Sequence, residues 1–403
     1  MSVQKIGIIT SGGDCGGLNG VIKGAAATAN ARGIEPYLIP NGYAGLYNLV
    51  DFEKLTRLTA ERLAAFHVYM AGSEAGNSRV KISKIKDENK YNRIKAGMQK
   101  FGLNALIIAG GDDTGSVVVD LASNGVPCVH APKTMDLDLM PYSVGGDSTI
   151  NRIADFIRDL KTTGTTHNRV IVMEVFGRYA GHTAFRGGIA GEADAILIPE
   201  IVVNFDIVYE HVKKVFFKRV RESDNHAGAA MVIVAEGLRD SDGNELVDKN
   251  AEPDSFGHRP LVGAGKYVVN ELSARLKKDA DVKEFMQSTK QLVSGLYETP
   301  EVREIRPSHL VRCGYTSAYD ASFGLQVGSG ALELVRKGIF GVTVANYQNG
   351  NVDYMDCAEA IQQRYVSLED VMVFENMGIN FGRKPGLEDP ALNKVSGRPV
   401  RLY

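Results

Sequence analysis

The chain has 403 residues, a length suited to two or three domains, and a globular composition, 44% hydrophobic and 23% charged. Its net charge of −2 excludes an overall basic field for nucleic acid, so an anionic ligand must be held by local cations. The four cysteines (Cys15, Cys128, Cys313, Cys357) form no C-x-x-C pair, which argues against a disulfide framework or a zinc site; no apolar run reaches membrane-spanning length, and MSVQKIGIIT shows no signal-peptide pattern, so a soluble cytoplasmic protein is expected.

Lys5 to Thr10 reads as a short buried strand running into SGGDCGGLNGVIKGAAATAN, where the glycines allow a tight turn and Asn19 onward reads as a helix. Strand, glycine-rich turn and helix form a general anion-binding arrangement, because free N–H groups at a helix start face the loop. The spacing is not G-x-G-x-x-G, so the dinucleotide fingerprint is absent. GAGKY at 263–267 is not a phosphate loop, since Pro260 and Tyr267 stand where that motif needs Gly and Ser or Thr. Pro36 to Pro40 reads as a second strand, followed by NGYAGLYNL. The loop AGSEAGNSRVK carries Arg79, which taken alone is an ordinary solvated charge, and residues 88–102 read as an amphipathic helix.

Two apolar runs follow, Ala105 to Ala109 and Val126 to Ala131. The first stops at Gly110-Gly111-Asp112-Asp113, the second at Pro132-Lys133-Thr134-Met135-Asp136-Leu137-Asp138. Short apolar runs broken by Gly and Pro read as parallel strands, and ligands in such sheets sit outside the strands' carboxyl ends. Asp and Gly are also plain turn formers. Four carboxylates and a lysine in two consecutive loops instead suit Mg²⁺ and phosphate chemistry.

From Asp147, a plausible N-cap, Ile150, Ile153, Ala154, Ile157 and Leu160 fall at helical spacing, in a helix expected to link two lobes. Val170 to Val175, Ala195 to Pro199 and Ala229 to Ala235 read as further strands, the first ending at Phe176-Gly177-Arg178 and the last at Glu236-Gly237. Residues 238–300 begin polar and turn-rich and continue as helix, an expected accessory insertion on the second lobe. Arg303, Arg306 and Arg312 with His309 suit a phosphate monoester or form a solvated, salt-bridged cluster. Val342 to Asn346 is a last strand before a Gly/Pro-rich tail expected on the surface.

In this order, SGGDCGGLN, NGYAGLY, GSEAGNSR, GGDD, PKTMDLD, HNRVIVMEVFGRYAG, AEG and REIRPSHLVRCG resemble the phosphofructokinases, outside residues 238–300 and the last thirty or so. The resemblance implies an α/β fold of two Rossmann-like lobes with mainly parallel sheets and the active site in the cleft between them. It implies a phosphoryl-donor lobe of 1–147 with 311–362 and a sugar-phosphate lobe of 148–310 with 363–403. Asp136 is then the base that takes the proton of the sugar 1-hydroxyl, flanked by Thr134 and Asp138, and Asp112 is the Mg²⁺ carboxylate. Gly12, Tyr43, Arg79 and Asp113 belong to the donor side. Arg178 neutralises developing charge. Phe176, Gly177, Glu236, His309 and Arg312 face the sugar phosphate. Arg169 and Arg303 match positions supplied by a neighbouring subunit, which implies a homodimer or homotetramer with shared sites.

ATP-using members carry Gly where Asp113 and Lys133 stand, and the pair found here is similar to that of the pyrophosphate-dependent members. The resemblance therefore implies reversible transfer from diphosphate to fructose 6-phosphate, with Lys133 meeting the terminal phosphate. The alternatives are an ATP-dependent enzyme of the same fold or a non-catalytic sugar-phosphate-binding subunit, which the presence of Asp136 and Asp112 disfavours. Phe176 and Gly146 replace the usual Met and Phe. Lys23 and Ala27 occupy positions where bacterial ATP enzymes carry effector-site arginines.

Overall fold

The computed structural model describes residues 3–252, 259–386 and 389–397. The chain begins β1 (Lys5–Thr10), α1 (Leu18–Ala31), β2 (Glu35–Leu38), α2 (Gly42–Tyr47), β3 (Thr56–Arg57), α3 (Ala60–Ala64), α4 (Lys90–Phe101), β4 (Ala105–Gly110), α5 (Asp112–Ser123) and β5 (Cys128–Pro132). After α6 (Gly146–Thr166) come β6 (Arg169–Val175), α7 (His182–Ala190), β7 (Ala195–Leu197), α8 (Phe205–Glu222), β8 (Ala230–Ala235), α9 (Ala264–Lys278), α10 (Ala280–Ser288) and β9 (Glu301–Ile305). It closes with α11 (Ala318–Arg336), β10 (Val342–Gln348), β11 (Asn351–Asp356), α12 (Cys357–Ala360) and α13 (Leu368–Glu375).

Two sheets result: a seven-stranded one in the order β11-β10-β5-β4-β1-β2-β3 and a four-stranded one in the order β7-β8-β6-β9. All pairings are parallel except β10–β11 and β2–β3 at the edges of the larger sheet. The period-two alternation of each strand splits it between two cores. Ile6, Ile8, Ala105 and Ile107 pack with residues of α1 and α11, whereas Ile9, Leu106 and Ile108 pack with α2, α4 and α5. In the second sheet Val170, Val172, Val232 and Val234 face α8, α9 and α10; Ile171, Met173, Met231 and Ile233 face α6, α7 and α13.

Several local expectations change. The helical part of 238–300 is not an accessory: Val268, Leu272, Leu276, Phe285 and Met286 belong to a core under the second sheet, with Phe217 and Phe285 stacked at 3.8 Å. The N-cap of α6 is Gly145, not Asp147, which lies in the first turn. Capping comes from a distant residue, the buried Asp320 of α11. Its carboxylate accepts from Gly145 N–H at 2.9 Å, Ser148 N–H at 2.7 Å, Ser148 Oγ at 2.6 Å and Tyr142 Oη at 2.8 Å. Nor does the whole tail lie on the surface, because Phe381 is fully buried and Asn380 O accepts Ile196 N–H at 2.8 Å beside β7. The β10–β11 hairpin turns on Asn349-Gly350, both at positive φ (52° and 77°), the backbone that two-residue hairpins require.

Helices α1 and α11 cross almost backbone to backbone. A Cβ on Gly24 would lie 2.1 Å from Leu325 O, and one on Gly328 would lie 2.1 Å from Val21 O. Gly328→Ala should therefore lower stability by ~1–3 kcal/mol through overpacking, read as an earlier urea midpoint; an unchanged midpoint would mean that the two helices separate freely.

Candidate active site

Strands β5, β4 and β1 are neighbours, so the loops after their carboxyl ends converge. They enclose a cavity of about 270 Å³ that brings together Gly12, Asp112, Asp113, Lys133, Thr134 and Asp136, with Tyr43, Arg79 and Arg312 beside them and Phe176 at the end of β6. Arg79 also lines an adjoining pocket with Ser73, Asn77 and Arg312, so it faces the site and not merely solvent.

Lys133 is the hub. It is buried, its Nζ donates to Gly13 O, and its backbone N–H donates to Gly110 O at 2.9 Å. Burial pushes its pKa down; Cys15, Asp14 and Asp136 oppose that and Arg312 adds to it. Gly12 passes beside it at φ 81°, where a Cβ would stand 3.8 Å from Nζ. Asp112 and Asp113 open α5, where the helix dipole favours negative charge. Asp113 pairs with Lys81 at 3.3 Å across the cavity edge, a partner that had no signal beyond its place two residues after Arg79. The Tyr43 hydroxyl is fully buried and donates to Thr114 O at 2.7 Å, so it holds the first turn of α5.

Asp136 is half-buried, and its pKa is raised well above its ordinary value by desolvation, then by Asp138, Glu236 and Asp112, against the pull of Lys133. Its Oδ1 is buried without a hydrogen-bond partner. A carboxyl group whose proton affinity is raised, and whose Oδ1 meets no donor among the described residues, is suited to exchange a proton with a substrate hydroxyl. Thr134 Oγ1 shapes the loop, accepting Asp136 N–H at 3.1 Å and donating to Asp138 Oδ1 at 3.3 Å. The Asp138 pKa is also raised, by burial first and then by Asp112.

Around Phe176 stand the groups of the second sheet. Gly177 has φ 132°, where a Cβ would meet Ala180 O at 2.7 Å. Arg178 donates to Arg259 O at 2.9 Å, and the His309 ring meets Phe176 edge-on at 5.6 Å. Arg312 lies 5.8 Å from the Phe176 ring and 3.3 Å from Asp14, which joins the two sheets' loops. Glu236 follows β8, and its pKa rises to about 7 through burial and Glu174, against Arg178. Arg169 and Arg303 lie elsewhere. Arg169 is the first residue of β6, about 20 Å from that strand's carboxyl end at 3.3 Å per residue. It pairs with Glu301 at 2.5 Å, which Arg303 also contacts, so neither reaches this chain's own cavity.

Among the described residues no cluster of three metal-ligating side chains occurs. Mg²⁺ is commonly held by one or two carboxylates plus substrate phosphates, so Asp112, exposed at the cavity beside Asp138 and Asp136, fits that ion. No helix among the described residues is long and apolar enough to cross a membrane.

The family model of phosphofructokinase matches residues 5–335. The pyrophosphate–fructose 6-phosphate 1-phosphotransferase of Dictyoglomus thermophilum is 34% identical over 347 residues, covering 86% of this chain and 90% of that protein. The ATP-dependent 6-phosphofructokinase of Chloroflexus aggregans is 31% identical over 346 residues, covering 85% and 87%. The crystal structure of a pyrophosphate-dependent phosphofructokinase from Marinobacter aquaeolei superposes with a TM-score of 0.67 at 18% identity, covering 99% of each chain, which shows a shared fold. The chain belongs to the phosphofructokinase family.

A raised carboxyl pKa means that the folded state binds the proton more tightly than the unfolded chain. The stability Glu236 contributes is full below its unfolded value of 4.5 and is lost as pH rises through about 7. Between about pH 5 and about pH 8 the wild type should therefore lose on the order of 2 kcal/mol relative to Glu236→Gln in urea unfolding. Parallel pH curves would show that Glu236 titrates normally.

Proposed function

We propose that this protein catalyses reversible phosphoryl transfer from diphosphate to the 1-hydroxyl of fructose 6-phosphate, giving fructose 1,6-bisphosphate and phosphate. The observation that carries the reading is the pair of charged side chains inside the cavity, Lys133 on Gly13 O and Asp113 held by Lys81. ATP-using members have Gly at both positions. A side chain at 113 fills space that the α-phosphate of ATP would need, and a fixed ammonium serves a small donor that has no nucleoside to grip.

Phosphoryl transfer depends on positioning and charge neutralisation more than on covalent help. Asp136 accepts the proton of the 1-hydroxyl as its oxygen bonds to the donor phosphorus; the bridging P–O bond breaks and phosphate leaves. Lys133 and Arg178 offset the charge that shifts to the leaving group. Gly12, Tyr43, Arg79 and Asp113 form the donor half, in a lobe of residues 1–147 with 311–362. Thr134, Asp138, Phe176, Gly177, Glu236, His309 and Arg312 orient the sugar phosphate, most of them from a lobe of residues 148–310 with 363–403. When bound at Asp112, Mg²⁺ neutralises the donor phosphates. Arg169 and Arg303 serve the 6-phosphate of a neighbouring subunit's site, which makes the working form a homodimer or homotetramer. Their position at the far side of the second sheet supports this.

The decisive measurement is kcat/KM with diphosphate against ATP, Mg²⁺ present. Diphosphate should be the better donor, and Lys133→Met should cost ~10²–10³ in rate with it, the usual worth of a positioned charge. A preference of the unmodified protein for ATP replaces this reading with an ATP-dependent enzyme of the same fold, of which the Chloroflexus relative at 31% identity is an example.

Shared sites make a separate prediction. Arg169→Ala and Asp136→Ala proteins, each inactive alone, should regain activity when their subunits are re-assorted, because a hybrid interface holds one intact site. Verified hybrids without activity would return Arg169 to a structural ion pair.

A further inference from the structure

The turn that follows Asp136 is held open by a segment far along the chain. Leu137 adopts a left-handed backbone, φ 58°, a conformation that is unfavourable for a non-glycine residue and persists only where its surroundings over-determine it. Its side chain lies over Gly146, where a Cβ would come within 2.0 Å of Leu137 Cδ2. The carbonyls on either side of this turn all point at Arg364. Its Nη2 donates to Leu137 O at 2.5 Å, its Nε to Leu139 O at 3.2 Å, and its own N–H to Asp138 O at 2.8 Å. Met140 N–H completes the row by donating to Ala360 O at 3.0 Å. The neighbouring Gln363 side chain donates from Nε2 to Arg364 O at 3.3 Å.

The same segment grips the other half of the cleft. His182, which opens α7 just after the Arg178 turn, meets Arg364 O through Nε2 at 3.1 Å. Val366 N–H donates to Glu200 Oε1 at 2.9 Å, and that carboxylate also accepts Gly181 N–H at 3.0 Å. Residues 360–366 thus fasten the loop of Asp136 to the turn of Arg178, and they lie beyond residue 335, where the family match ends.

We infer that Arg364 is a positioning residue for phosphoryl transfer: its guanidinium fixes the Leu137 and Leu139 peptides and thereby aims the Asp136 carboxylate at the substrate hydroxyl. Arginine suits the task because its planar fork spans two carbonyls at once, which an ammonium does not. Among the described residues the Arg364 side chain donates to Leu137 O and Leu139 O, neither of which lines the cavity, so its loss acts through the turn and falls mainly on the chemical step. The inference rests on Asp136 as the base but not on which donor is used.

The test is steady-state kinetics of wild type, Arg364→Ala, Arg364→Lys and, as a control, Asp136→Asn, with melting temperatures and with guanidinium added. Arg364→Ala should lose ~10–100-fold in kcat with both KM values within about threefold, as expected for a base displaced by a fraction of an ångström. Millimolar guanidinium should restore part of that rate, and Arg364→Lys should fall in between. A kcat of Arg364→Ala near wild type overturns the inference. So does a loss that follows the melting temperature and ignores guanidinium, since a purely structural role predicts that. If Arg364→Ala does not fold, Arg364→Lys decides: kcat reduced several-fold at an unchanged melting temperature supports positioning, and a wild-type kcat overturns it. Asp136→Asn separates the two readings, because a loss of ~10²–10⁴ keeps the base in place whatever Arg364 does, whereas a near-normal rate removes the base itself.

Discussion

A buried ammonium among carboxylates is the interaction on which the cleft depends. Lys133 bonds the carbonyl after β1 with its side chain and the carbonyl ending β4 with its backbone, from its own place after β5. Burying such a charge is costly unless opposite charges surround it, and Asp14 and Asp136 do so. The balance is incomplete in the other direction: desolvation together with Asp138, Glu236 and Asp112 outweighs Lys133, so the Asp136 pKa stays raised. One residue thus joins three loops and limits, without abolishing, the repulsion that raises its neighbour's pKa.

The loops can carry this charge because the sheet behind them carries none of the burden of solvation. Each central strand divides its side chains between two apolar cores, with helices on both faces. The same division in the second sheet needs α9 and α10 as one of its covering layers. With both faces closed, the strand ends are where backbone and polar side chains can meet a ligand. The chain returns to the first sheet after β9, and the Asp320 carboxylate of α11 then caps α6, so the two halves are tied at their root as well as across the cleft.

Charge placement separates the cationic residues into two groups. Arg312 and Lys133 line the cavity, while Arg169 and Arg303 share Glu301 near the opposite end of β6. A strand of seven residues is too long for one arginine to serve both ends. That geometric limit, and not charge alone, separates Arg312 at the cavity from Arg169 and Arg303 on Glu301.

Much of this was present in the amino-acid sequence because it is local. Apolar runs such as Ala105–Ala109 and Val170–Val175 declare buried strands, and the Gly, Asp and Lys residues that stop them lie where parallel strands present their ligands. The ordered motifs carried the family. What depended on distant partners was hidden. Asp147 looked like the cap of α6 because a sequence rule sees only neighbours, whereas Asp320 does the capping from α11, more than 170 residues away. Arg303-Glu304-Ile305 did not read as a strand, since β9 is an edge strand with an exposed charged side and its pairing with β6 is what makes it one. The Asn349-Gly350 hairpin was a readable signal that went unused. Lys81 on Asp113 and Arg364 on the Asp136 loop had no local signature at all: an arginine in a polar stretch carries no mark of the carbonyls it will meet. Sequence determined which strands are buried and where their reactive ends lie, because burial follows from periodicity; only the tertiary structure decided which residues hold those ends in place, because that depends on contacts between segments far apart in the chain.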